Sequence, residues 1–162
     1  MRNATVPEYR ALLKNLVTGL QPQAKTTFCN YFCHAIACAF GFRGFFDVEK
    51  GRVKMANEID EYLDSESTVD GGKFSLYYGS YITLVDDVCR FPLFVIASQR
   101  AAVGSGHCCV LAPELGLVAS AKWPGTVVPK VANVGKTNFY GKGLNHAFGK
   151  TMPKIYVWNG IY

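Results

Sequence analysis

Apolar residues recur at helical spacing in the first part of the chain and at strand-like spacing in the last. Leu12, Leu13, Leu16, Val17 and Leu20 share one face of a helix predicted from Pro7-Glu8 to Leu20, with proline in its first turn. Gln21-Pro22-Gln23 breaks it. A second helix is predicted from about Thr27 to Phe40, closed by Gly41, and its apolar character extends nearly all round, as a central buried helix would require. Gly41 to Phe46 reads as an aromatic loop. Lys54 to Leu63 reads as a third helix with Met55, Ile59 and Leu63 on one face, and Asp64 to Lys73 as a polar loop. Tyr78 to Val88 fits helix and strand equally.

After Pro92 the period changes. Leu93–Ala97, His107–Ala112, Leu117–Lys122, Val127–Val134 and Lys154–Trp158 read as five strands divided by turn signals, with Pro113-Glu114-Leu115-Gly116 closing a hairpin between the second and third. Helices followed by an antiparallel sheet indicate an α+β fold in one layer pair. No repeat or linker divides the chain, so residues 1–162 are expected to form one domain with no second module.

No window approaches the roughly 18 apolar residues of a membrane span. The first residues, Met1 to Glu8, show no apolar signal core, so synthesis in the cytoplasm without a signal peptide is expected. The six cysteines, at positions 29, 33, 38, 89, 108 and 109, match neither a disulfide framework nor paired zinc knuckles, so no cofactor or metal is expected, with Cys33-His34 keeping zinc as an alternative. Cys108 and Cys109, adjacent on a strand, should face opposite ways. A formal charge of +5 suits an anionic partner such as nucleic acid, anionic lipid or bacterial cell wall, and the scattered basic residues do not choose among these.

The candidate chemistry begins at Thr26-Thr27-Phe28-Cys29, a hydroxyl-rich turn entering the second helix. With Thr27 as cap, Cys29 lies in the first turn, where the helix dipole and backbone N–H groups favour thiolate and offer an oxyanion site. Cys33 and Cys38 sit deeper. Of the three histidines, His34 points away from Cys29 along the same helix and His146 lies in a Gly/Asn-rich loop; His107 follows Gly104-Ser105-Gly106 and begins an apolar strand. Cys29 and His107 together satisfy the first two needs of a thiol hydrolase. Asn133, alternating with apolar neighbours, can hold the imidazole tautomer, with Ser120 and Asn138 as rivals. Gln23, six positions before Cys29, can donate to an oxyanion or can be an ordinary surface residue. Phe45, Phe46, Tyr77, Tyr78 and Trp123 fit a substrate groove or simple packing, packing being the better explanation.

Thr27-Phe28-Cys29-Asn30-Tyr31-Phe32 resembles the T-x-C-N-x-F/Y segment at the nucleophile of phage and bacterial peptidoglycan-cleaving enzymes with a papain-like fold, the CHAP and NlpC-type amidases and endopeptidases. Ala56-Asn57-Glu58-Ile59, Gly106-His107 through Pro113, Pro129 to Gly135 with Asn138-Phe139, and Ala147-Phe148-Gly149 resemble further segments of theirs, so the likeness runs from about Lys25 to Gly149. The chain departs from it at Cys108 and Cys109, where valine or alanine is usual, and at Asn133, where glutamine is commoner. The resemblance implies Cys29 as nucleophile, His107 as base and then acid, a polar third residue near Asn133, and Gln23 at the oxyanion position. It also implies an endolysin-like cysteine hydrolase that acts as a monomer on bacterial cell-wall peptidoglycan after release, delivered by a holin, or paired with an immunity protein if the enzyme is a secreted effector. Alternatives are an effector-type amidase or a cysteine peptidase with a protein substrate, and a non-catalytic basic binding module. Nucleic-acid binding, resting on charge alone, ranks last.

Overall fold

The computed structural model describes residues 5–20, 28–90, 93–112 and 116–160. Among these, four helices accompany an antiparallel sheet of seven strands, a mixed α+β architecture. Helix α1, Val6–Gly19, opens with Thr5: its hydroxyl accepts from the Glu8 N–H, and the Glu8 carboxylate accepts the Thr5 N–H at 2.7 Å. Helix α2, Cys29–Ala39, buries Cys29, Phe32, Cys33, Ile36 and Ala37 but leaves Tyr31 and Ala39 exposed, so it presents a face to the core instead of being covered all round. Gly41, at φ 84°, ends it as expected, the Phe42 N–H returning to the Ala37 carbonyl.

The aromatic loop leads into a short ladder, β1 (Phe46–Asp47) with β2 (Arg52–Val53), while Phe42 and Phe45 turn inward against Phe74. Helix α3, Ala56–Thr68, is longer than the sequence indicated. The predicted polar loop from Asp64 is helical through Thr68, because Ser65, Ser67 and Thr68 bond back to carbonyls one turn earlier instead of breaking the helix. Strand β3 (Phe74–Leu76) follows, then helix α4 (Tyr81–Arg90), which resolves the ambiguous segment: Leu84 and Val88 recur at helical spacing and are its buried residues.

The remaining strands are β4 (Val95–Gln99), β5 (His107–Leu111), β6 (Leu117–Ala119), β7 (Val127–Asn133), β8 (Phe139–Gly143) and β9 (Lys154–Trp158). Their order is β3-β9-β4-β5-β7-β6, with β8 also on β7. The expected hairpin between the second and third predicted strands does not form. The Ala112 N–H donates to the Lys130 carbonyl and the Lys130 N–H to that of Gly116. One residue's N–H and C=O point to the same side of a strand, so β5 and β6 lie end to end along one edge of β7. The reversal comes later, at Trp123-Pro124-Gly125 between β6 and β7, where Gly125 takes φ 75°.

A single helical layer is also not what is found. Alternate residues of β4 and β5 enter different cores: Ile96, Cys108 and Val110 pack with α1, α2 and α3, while Val95, Ala97, Cys109 and Leu111 pack with Leu84 and Val88 of α4, Trp123 and Phe148. These central strands are therefore apolar on both faces, which is why the sequence showed continuous runs. Cys108 and Cys109 face opposite ways, as strand geometry requires. Among the described residues, no helix is long and apolar enough to cross a membrane.

Candidate functional site

Cys29 is the first residue of α2, one position earlier than the cap expected at Thr27 would give. Phe28 occupies the cap position with no side-chain bond, and Thr27 and Gln23 lie outside the described residues. The ladder of α2 begins with the Phe32 N–H donating to the Phe28 carbonyl at 2.9 Å, so the N–H groups of the first turn precede it and the positive end of the helix dipole lies at Cys29. Asn30, buried beside it, donates to the Lys54 carbonyl at 3.0 Å and ties this end of α2 to the segment entering α3.

His107 reaches the same place from the sheet, as the first residue of β5. Nε2 of its ring lies 2.7 Å from Oδ1 of Asn133, the last residue of β7. The Asn133 amide nitrogen donates to the Thr137 carbonyl at 2.8 Å, which turns the amide oxygen toward the imidazole. Nε2 is therefore the protonated nitrogen, and Nδ1 is left for Cys29. The ring packs over Gly135, where a Cβ would come 3.1 Å from Cε1, and against Phe148, with ring centroids 5.3 Å apart.

The electrostatics follow from these contacts. The Cys108 thiol, donating to the Cys29 sulfur, does most to favour thiolate there; burial opposes it, and the hydrogen bond and positive charge of His107 and the Cys108 backbone N–H add to it. Cys29 is thereby drawn down from the usual thiol range to about 4. Burial disfavours charge on His107, but the hydrogen bond and charge of Cys29 and the Asn133 contact together hold it above its ordinary value. Both shifts favour the same ion pair, thiolate on Cys29 and imidazolium on His107. Cys33, fully buried one helical turn on, is pushed up by burial and stays a thiol.

The other candidates serve the framework. Ser120 accepts the Trp123 N–H. Asn138 accepts the Gly135 N–H and donates to the carbonyls of Val17 and Leu20, fastening the end of α1 to the turn after Asn133. His34 sits beside Cys38, Nε2 3.5 Å from its sulfur, one turn along α2. Phe45 and Trp123 are core residues, Phe46 is partly exposed on β1, and Tyr77 and Tyr78 line a separate depression with Tyr81.

A groove of about 840 Å³ opens at His107 and Asn133. Met55 and Phe148 contribute apolar surface to it, Lys122, Lys136 and His146 are its basic groups, and no carboxylate is among its described lining residues. Lys122 is anchored through a 2.9 Å bond to the Phe148 carbonyl. Sequence reasoning gave Lys122 no role, took Lys136 only as part of a locally positive C-terminal third and set His146 aside as a loop residue, because single basic residues in loops carry no pattern. It also assigned no role to Asn57. The Asn57 amide nitrogen donates to the carbonyls of Gly104 (3.1 Å) and Ala101 (3.4 Å), and its oxygen accepts the Ala101 N–H (3.1 Å). That side chain clamps the loop feeding His107, and it fits only because residue 106 is glycine: a Cβ there would come 2.4 Å from Oδ1.

Compared with known proteins, the chain matches no family model, and no curated protein matches it.

Proposed function

We propose that this protein is a papain-like cysteine hydrolase that cleaves an amide bond of bacterial peptidoglycan, in the stem peptide or at the glycan–peptide junction. The observation that carries the reading is the convergence of Cys29, His107 and Asn133: a thiol at a helix start, an imidazole at a strand start and an amide oxygen fixing the ring's tautomer. The wall as substrate rests on the resemblance around Cys29, His107 and Asn133, and the basic groove is compatible with carboxylate-bearing wall peptides.

In this reaction the Cys29 sulfur attacks the amide carbonyl carbon. The oxyanion that forms is received at the first turn of α2, where backbone N–H groups and the helix dipole favour negative charge. The carbon–nitrogen bond then breaks as the His107 imidazolium passes its proton to the departing amine, leaving a thioester on Cys29. Neutral His107 next takes a proton from water, whose oxygen attacks the thioester, and Cys29 leaves as thiolate. Asn133 keeps Nε2–H bonded throughout, so Nδ1 is the nitrogen that exchanges the proton.

The test is digestion of purified peptidoglycans of several chemotypes by wild type and Cys29→Ala, read by turbidity and by fragment mass. Fragments released by wild type alone support the reading and name the bond. Failure of folded wild type to release fragments from any of them overturns the wall as substrate and leaves a protein substrate to be tried.

A further inference from the structure

Cys108 makes and breaks no bond in the hydrolysis above, yet it stands beside the Cys29 sulfur, whose thiolate it favours. It is 0 % exposed, on the face of β5 turned toward α2, and belongs to the same buried cluster as Cys29 and Cys33. Consecutive residues of one strand therefore bring an imidazole and a second thiol to one nucleophilic sulfur. A thiolate is the form of cysteine that peroxides oxidise, and a neighbouring thiol is what captures the product before further oxidation.

We infer that Cys108 is a site of covalent modification, a resolving thiol that closes a reversible disulfide with Cys29 when a peroxide oxidises the nucleophile. The inference rests on the nucleophilic Cys29 of the proposed function, but not on peptidoglycan as substrate. In the first step the Cys29 thiolate attacks one peroxide oxygen. A sulfur–oxygen bond forms, the oxygen–oxygen bond breaks, and hydroxide leaves to be protonated to water, with Cys29 now a sulfenic acid. In the second, the Cys108 sulfur attacks the Cys29 sulfur: the disulfide forms, the sulfur–oxygen bond breaks, and the departing hydroxide takes the Cys108 proton as water. Two thiols are oxidised and one peroxide is reduced to two waters.

Geometry selects Cys108 over the other cysteines. Cys33 lies on the same helix as Cys29, four positions on, where Cβ atoms are about 5–6 Å apart, whereas a disulfide needs about 3.5–4.5 Å. Cys109 faces the opposite core, Cys38 sits beside His34, and Cys89 is exposed on α4. Hydrogen peroxide is close to water in size, and His107, the partner of Cys29, lines the open groove.

The experiment treats the purified protein with hydrogen peroxide, blocks remaining thiols, and maps linked peptides by mass spectrometry. A parallel sample receives dithiothreitol before its Cys29 thiol is counted. At peroxide doses that oxidise Cys29 to the same extent in both proteins, wild type should yield a Cys29–Cys108 linked peptide and return about tenfold more Cys29 thiol than Cys108→Val, which lacks the thiol favouring the Cys29 thiolate and whose Cys29 should run on to sulfinic acid. Equal recovery in the two proteins, or a linked peptide carrying Cys33 in place of Cys108, overturns the inference. Cys108→Ser replaces the valine variant if that fails to fold, and the linked peptide in wild type decides if neither folds. Because the readout is a covalent product, failure to digest any cell wall leaves it standing, while wall digestion with irreversible oxidation sinks the disulfide alone.

Discussion

The Asn133 amide oxygen and the His107 Nε2 meet at 2.7 Å across the ends of neighbouring strands, one residue closing β7 and the other opening β5. Asn133 is 3 % exposed, and its nitrogen is committed to the Thr137 carbonyl, so the amide cannot flip without breaking two bonds. Replacing Asn133 with alanine leaves the imidazolium without an orienting acceptor. A hydrogen bond to a charged group contributes about 1.5–3 kcal/mol, so kcat/KM for the proposed hydrolysis should fall roughly 10- to 100-fold. Asn133→Gln should fall between alanine and wild type, because the longer amide moves the oxygen away from a ring fixed over Gly135. Unchanged kinetics in the alanine variant would remove Asn133 from the site.

The protonation of Cys29 gives a pH signature. Its value is lowered to about 4, so the thiolate persists above that pH and is lost as pH falls through it. Iodoacetamide should therefore alkylate Cys29 at a nearly constant rate at neutral and mildly acidic pH, slowing about tenfold per unit below 4. His107 is held above its ordinary value, so the imidazolium is present below that raised value and lost as pH climbs through it. The proposed hydrolysis needs both charges and should decline on the alkaline side while alkylation continues. His107→Ala should move the alkylation midpoint upward, because it removes a hydrogen bond and a positive charge that favour the thiolate, a shift that titration with iodoacetamide reads directly.

What could be read from the chain divides along physical lines. Helix α1 was legible because Pro7, the leucine stripe and the Gln21-Pro22 break are local signals, and so were β4, β5 and β9, whose apolar runs are nearly continuous, and β7, whose apolar residues are interrupted by Lys130 and Asn133. Cys29, His107 and Asn133, which the structure brings together, were singled out because each sits in a distinctive local context, at a helix start, after Gly-Ser-Gly and in an alternating strand; the resemblance then linked them. Strands β3 and β8 went unseen: Phe74-Ser75-Leu76 is short, and Phe139 to Gly143 contains two glycines. Each is defined by its partner, β9 or β7, and pairing across distant sequence leaves no local pattern. The end-to-end placement of β5 and β6 was missed for the same reason, since Pro113 to Gly116 looks like a reversal unless β7 is known to run beside both. The second core, built around α4 and Trp123, was hidden because strands buried on both faces lose the alternation that reveals a face.

Asn57 belongs to the same class of hidden residue, and its removal has a specific consequence. Its amide makes three bonds with Ala101 and Gly104 of the loop leading to His107. Truncation to alanine leaves these backbone groups without that partner, at a cost of about 1–3 kcal/mol and a melting temperature lower by roughly 2–4 °C for each kcal/mol. Asn57→Asp should be no better, because a carboxylate keeps the acceptor for the Ala101 N–H but faces the Gly104 carbonyl without a proton. Amide hydrogen exchange over residues 101–106 should quicken in both variants, and kcat should fall more than KM rises. An aspartate variant with full activity and normal exchange would show that the acceptor bond alone holds the loop.

The charge of the groove can be tested without any natural substrate. Lys136 is exposed on its lining, close in sequence to Asn133, and none of the other described lining residues is acidic. Iodoacetate and iodoacetamide alkylate the same sulfur and differ chiefly in that the first carries a carboxylate. The His107 imidazolium already favours the anion, so the informative quantity is the change in the rate ratio when a groove charge is reversed. Two unit charges a few ångströms apart in a partly solvated site interact by about 1–4 kcal/mol, and Lys136→Glu exchanges one such attraction for a repulsion. The iodoacetate-to-iodoacetamide rate ratio at Cys29 should therefore drop by about tenfold at low salt and recover toward wild type as ionic strength rises, while the iodoacetamide rate itself stays nearly constant. An unaltered ratio would mean that Lys136 does not act on groups approaching Cys29, and the groove's preference for anions would then have to come from Lys122 and His107.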